Sequence, residues 1–145
     1  RDEEFTELFD TIREHPQMTY HGFQSNEIVR EALEKAHIFA YPSIWPETSC
    51  IAAIEAMSAG CEVVCPNYAA LPETTANFAS MYQWTEDINH HANVFANVLN
   101  NTIKNRFEDN EIRKLNFQKN YVDNFYNWDL RANQWTGLLT GILES

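Results

Sequence analysis

The segment His37-Ile38-Phe39-Ala40-Tyr41-Pro42 is an almost unbroken apolar run closed by a proline. A short run without polar alternation suits a strand covered on both faces, which is the condition of a parallel sheet. The flanking segments agree. Before it, Ile28, Ala32, Leu33 and Ala36 form one face of a helix predicted over 26–36, which Ser25 or Asn26 can cap. After it, residues 43–49 read as a loop. A helix is predicted over 50–59, with Thr48 or Ser49 as its cap and Gly60 as its stop. Residues 61–65 form a second short strand, ended by Pro66-Asn67.

Two more strands are expected, at 18–23 and 79–84, both rich in β-formers. Phe5, Leu8, Phe9 and Ile12 mark a helix over 3–14 that His15-Pro16 stops. Residues 67–77 read as a loop with one helical turn around 72–76. From about 88 the chain turns helical. Val94, Phe95, Val98, Leu99 and Ile103 line one helix, and Ile112, Leu115, Val122 and Phe125 a second. Trp128, Ala132, Trp135, Leu139 and Ile142 line a third, with Asn127 as its cap and both tryptophans expected in the core. Short strands joined by helices predict an α/β fold, a doubly wound parallel sheet with C-terminal helices. No repeat or linker divides the 145 residues, a single domain by size. Ligands of such sheets sit beyond the carboxyl ends of the strands, and two loops qualify: 43–49 and 66–77.

The chain holds 21 Asp plus Glu against 10 Lys plus Arg, a formal charge of −11. With no segregated basic patch, that balance argues against a nucleic-acid partner or contact with an anionic membrane. No run is long and apolar enough to span a bilayer. The three cysteines, Cys50, Cys61 and Cys65, are an odd set without a partner His or Cys at zinc spacing, and read as reduced, mostly buried thiols. The opening Arg1-Asp2-Glu3-Glu4 reads as the interior of a longer protein.

The loop 43–49 carries the chemistry. Glu47 ends it, and Glu55 lies eight positions on, inside the next helix. Two helical turns are about 7.2 residues, so the two carboxylates share broadly related faces. Ser49, Cys50 and Ile51 put free backbone N–H groups at the helix N-terminus, an anion site. Each carboxylate has two acceptor oxygens, enough for Glu55 to take both hydroxyls of a ribose and Glu47 those of a sugar. The bare spacing is also that of a solvated Glu47 and a salt-bridged Glu55, since such pairs are common on helices.

The wider block decides between these readings. Tyr41-Pro42-Ser43, then Glu47, seven residues, Glu55-Ala56-Met57 and Gly60 resemble the donor-binding signature of retaining GT-B glycosyltransferases, the group 1 or family 4-like enzymes. The flanks are similar too: Tyr20-His21-Gly22-Phe23 before a helix, Leu71-Pro72-Glu73 in the next loop, and Phe125-Tyr126-Asn127-Trp128 opening the last helix. The resemblance implies a Rossmann-like, nucleotide-sugar-binding C-terminal domain. It implies transfer of a hexosyl or other sugar from a nucleotide-diphosphate sugar, with retention, as in cytoplasmic polysaccharide biosynthesis. The acceptor is an unspecified sugar, glycan, lipid or protein. Glu55 matches the ribose-binding glutamate, and Glu47 the candidate catalytic glutamate that touches the transferred sugar. Thr48, Ser49, Cys50 and Ile51 match the amides facing sugar and phosphates.

No cofactor or metal is expected. Many members have glycine after the first glutamate, so the side chains of Thr48, Ser49 and Cys50 add hydroxyl contacts or narrow the pocket. Members also carry an Arg and a Lys from the first strand and helix of this domain, and no basic pair here replaces them. The resemblance therefore implies a fragment lacking its first two strands and the N-terminal acceptor domain of the same parent chain, and inactive by itself. His21, Ser43 and Glu73 are candidate cleft-lining residues, with structural roles for His21 and Glu73 as the alternative. Trp45 either walls the site or packs, and His90-His91 read as a solvated face. Rival readings are an inactive nucleotide-sugar-binding or scaffolding module, a GT-B-shaped sugar epimerase, and a flavodoxin-like interaction domain. The last two do not account for the Glu47–Gly60 block.

Overall fold

The computed structural model describes residues 3–144. A 3-10 turn, Glu3–Phe5, leads into α1 (Thr6–Glu14), followed by α2 (Asn26–Lys35), β1 (Ile38–Ala40) and α3 (Ile51–Ser58). Next come β2 (Glu62–Asn67), the single turn α4 (Leu71–Thr74) and β3 (Ser80–Gln83). Three long helices close the described chain: α5 (Ile88–Asn105), α6 (Asp109–Phe125) and α7 (Trp128–Leu143).

The strands form one parallel sheet in the order β1-β2-β3, with Phe39 beside Val63 and Cys65 beside Met81. Alternate residues of β2 point to opposite faces. Cys61, Val63 and Cys65 join Leu33 of α2, Ala53, Ala56 and Met57 of α3, and Val122 of α6 in one buried core. Glu62, on the other parity, lines a small cavity with Val98, Asn101 and Thr102 of α5. Helices thus cover both faces, and the doubly wound α/β fold expected from the sequence is the one observed. Alanines at 53 and 56 let α3 lie close on the sheet, and α3 ends as Gly60 demands. Gly60 sits at φ +89; its N–H donates to the Met57 carbonyl (3.1 Å) and that of Cys61 to Ala56 (2.9 Å).

Pro66 does not end β2; the strand runs through it to Asn67. The N–H of Glu62 and the carbonyl of Val64 point toward β1: the first donates to His37 O (3.0 Å) and the second accepts from Tyr41 N (2.8 Å). The nitrogen of Pro66 faces the same way, past the end of β1, where no ladder bond is lost. All three cysteines are free and buried, as expected. Burial pushes the Cys65 thiol up to about 12, with Cys50 adding to it.

Further expectations fail. Residues 18–23 form no strand. Gly22 turns the chain at φ +64, Phe23 is fully exposed at 101%, and the Tyr20 ring folds back onto Phe9 (5.0 Å between centroids) instead of joining the sheet. Trp128 and Trp135 are 89% and 62% exposed, because α7 buries no residue against the body of the domain. His91 is buried rather than solvated, its Nε2 3.1 Å from the Tyr82 hydroxyl. The Asn127 cap is present, accepting from Leu130 N at 2.9 Å. Ser25 occupies the N-cap position of α2 but makes no side-chain cap.

Two polar contacts hold α6 against the sheet. Gln118, fully buried, donates to the Cys61 carbonyl at 2.8 Å. Gln118→Leu should destabilise the fold by about 1–3 kcal/mol in urea denaturation, since that carbonyl is left unpaired in the core. Lys114 reaches Glu62 (3.1 Å) and Glu111 (2.5 Å). Burial pulls the Lys114 pKa down, but its bonds to Glu111 and Glu62 outweigh burial and the net shift is upward from 10.5. A raised lysine pKa stabilises fully below the unfolded value and loses its contribution as pH rises through the folded one. Stability curves of the wild type and Lys114→Met, compared from about pH 8 to pH 12, should therefore converge only at the alkaline end.

Candidate functional site

β1 is short, and the chain leaves the sheet beyond Tyr41, whose N–H makes the last bond to β2. Residues 42–50 then climb over the carboxyl end of the sheet to the start of α3. Ser43 ties this loop to itself: its hydroxyl accepts from Trp45 N (3.2 Å) and donates to Trp45 O (3.3 Å). Ser43 is buried, so its hydroxyl serves the loop. Trp45 is exposed and does not pack into the core.

Glu47 is half-buried. Its Oε1 accepts from the Tyr41 hydroxyl at 2.6 Å, and its carbonyl accepts from Ala70 N at 3.1 Å. The second bond joins the loops after β1 and β2, the two predicted to form the site. Ala69, beside it, stands at φ +49.

α3 begins one residue later than expected. Its N-cap is Cys50, which makes no side-chain cap, and the first intrahelical bond runs from Ile54 N to Cys50 O (3.2 Å). Thr48 and Ser49 lie before the cap position, too early for their hydroxyls to reach the first-turn amides, so neither caps. The first-turn N–H groups have no side-chain acceptor and keep the positive end of the helix open. Thr48, Ser49 and Ile51 are exposed there, while the Cys50 thiol turns into the core and adds nothing to the mouth of the site.

Glu55, one turn further on, is 22% exposed. Its Oε1 lies 3.3 Å from Arg30 Nη2 and 3.4 Å from Asn26 Nδ2, both on α2. Glu55 is ion-paired, as one reading of the bare spacing has it; Glu47 is not simply solvated. Arg30, Ile51 and Glu55 line an open cavity of about 850 Å³ with Lys119 and Arg131 from α6 and α7. His21 lies exposed on the α1–α2 connection and Glu73 exposed on α4; neither side chain is hydrogen-bonded to Glu47 or Glu55. Among the described residues no group of three or more His, Cys, Asp or Glu is placed to hold a metal ion, and no helix is long and apolar enough to cross a membrane.

The start of α3, between Glu47 and Glu55, thus lies at the carboxyl end of a parallel sheet. The family described as glycosyl transferases group 1 matches residues 3–120. The chain belongs to that family. Comparison with curated proteins and with solved structures gives no match.

In this group 1 glycosyltransferase domain, three residues missed in the sequence touch the two glutamates. Tyr41 is a polar tip in an apolar run, and Asn26 and Arg30 are four apart on the polar face of α2, which was the available signal. Ala69 holds a left-handed backbone that costs a non-glycine residue about 1–2 kcal/mol. Glycine there also gains entropy in the unfolded chain, so Ala69→Gly should stabilise the domain by no more than about 1 kcal/mol. A rise in thermal midpoint checks it.

Proposed function

We propose that this domain is the nucleotide-sugar-binding C-terminal half of a retaining, family 4-like GT-B glycosyltransferase. It transfers a sugar from a nucleotide-diphosphate donor to an acceptor held by an N-terminal domain of the same protein. The observation that carries this is the uncapped start of α3 between Glu47 and Glu55. Backbone amides and the helix dipole favour a diphosphate at that point, and their effect grows as the leaving group gains charge. Glu55 accepts from the ribose hydroxyls and Glu47 from the hydroxyls of the transferred sugar. The exposed Thr48 and Ser49 border the sugar, and Glu73 and His21 stand at the rim.

The reaction is one of positioning and charge stabilisation, without a resident metal. The domain's acidity leaves the diphosphate in need of cations. With a formal charge of −11, residues 1–145 should by themselves bind the diphosphate weakly. The reaction belongs to the cytoplasm, in polysaccharide assembly.

Glu55→Ala in the full-length protein removes charge-assisted bonds to the ribose. It should weaken UDP or GDP, whichever the protein binds, by about ten- to a hundredfold, while Glu73→Ala stays within about threefold. Isothermal titration decides the matter; equal losses at Glu55 and Glu73 would sink the assignment.

A further inference from the structure

The Glu47 carboxylate is held from one side only. Its Oε1 accepts from the Tyr41 hydroxyl at 2.6 Å, and among the described residues nothing donates to Oε2. That distance belongs to charge-assisted O–H···O⁻ bonds, roughly twice as strong as neutral ones. Both partners stand on fixed backbone. The Tyr41 N–H donates to Val64 O (2.8 Å), its carbonyl accepts from Ser43 N (2.9 Å), and its ring stacks on Phe39 with centroids 5.4 Å apart. The Glu47 N–H donates to Trp45 O (2.9 Å), and its carbonyl accepts from Ala70 N (3.1 Å). What remains free in Glu47 is rotation of its own side chain, and the Tyr41 bond stops that rotation.

We propose that Tyr41 is the positioning residue of Glu47: it anchors Oε1 and leaves Oε2 as the oxygen that meets the hydroxyls of the donor sugar. This rests on the donor-site reading of Glu47. The Tyr41 phenol is suited to it, because the hydrogen bond to Glu47, then burial and the nearby Cys50 thiol, raise its pKa. It stays protonated, and a donor, throughout the neutral range. A freely rotating glutamate would exchange sugar contacts for water contacts; an anchored one meets the sugar already oriented.

The test is Tyr41→Phe in the full-length enzyme. UDP- and GDP-sugars are screened on the wild type, and hydrolysis or transfer of the accepted donor is then followed. Inhibition by the matching nucleoside diphosphate, which lacks the sugar, is measured alongside. The expected result is a loss in kcat/KM of about ten- to a hundredfold, with diphosphate inhibition unchanged within about twofold. In a Glu47→Gln background, the same substitution should cost less than about threefold, because the two residues act as one unit. Unchanged kcat/KM in Tyr41→Phe overturns the proposal and leaves the donor site standing. So do equal losses of turnover and diphosphate affinity, the mark of a merely structural tyrosine. A wild-type protein that binds neither diphosphate overturns the proposal together with the donor-site reading.

Discussion

Val63, Val64, Cys65 and Pro66 are cut off from water on a strand that is hydrogen-bonded along both edges. A strand in that position needs apolar cover on its two faces, and parallel neighbours need crossovers long enough to supply it. α3 and α5 are those covers, with α6 closing over α3. Each buried valine contributes about 1.5–3 kcal/mol, so the helices are placed by β2 and not by their own propensities. One charged residue is admitted to this environment: Glu62, 2% exposed, bonded to Ser80 (2.7 Å) and Lys114 at the opposite end of the sheet from the site.

The same arrangement gathers the candidate site in one place. Every strand points the same way, so the loops that leave them gather at one edge. Glu47 and Ala70 meet there backbone to backbone, although 23 positions separate them in the chain. Glu55 takes its place from α3, whose inner face is fixed by Ala53, Ala56 and Met57. The residues that hold the two glutamates come from other elements: Tyr41 from the end of β1, Asn26 and Arg30 from α2.

Much of this could be read from the chain. The apolar runs around Phe39 and Val63, the helical periods between them and the Gly60 stop led to a doubly wound α/β fold, and the Glu47–Gly60 block led to the family. The strand expected at 18–23 failed because β-forming residues record preference, and pairing requires a neighbour that Gly22 turns the segment away from. The tryptophans of α7 failed for a related reason. Amphipathic spacing shows that a face suits burial and says nothing about whether a surface lies against it. Helix boundaries near 50 and the hydroxyl caps were missed by a single residue, enough to disengage Thr48 and Ser49. The partners of the glutamates are tertiary contacts: the polar tip at Tyr41 and the polar face carrying Arg30 were visible, but not which group each would meet.

Pro66 has a consequence for the shape of the domain. A ladder between two parallel strands zips forward while each new residue offers an amide hydrogen, and at Pro66 there is none to offer on the β1 side. The chain after Tyr41 therefore has no reason to continue alongside β2 and lifts away from it. Residues 42–50 cross there to the exposed start of α3. A missing hydrogen atom in a buried strand is thus part of what keeps residues 42–50 of this transferase domain from becoming more sheet.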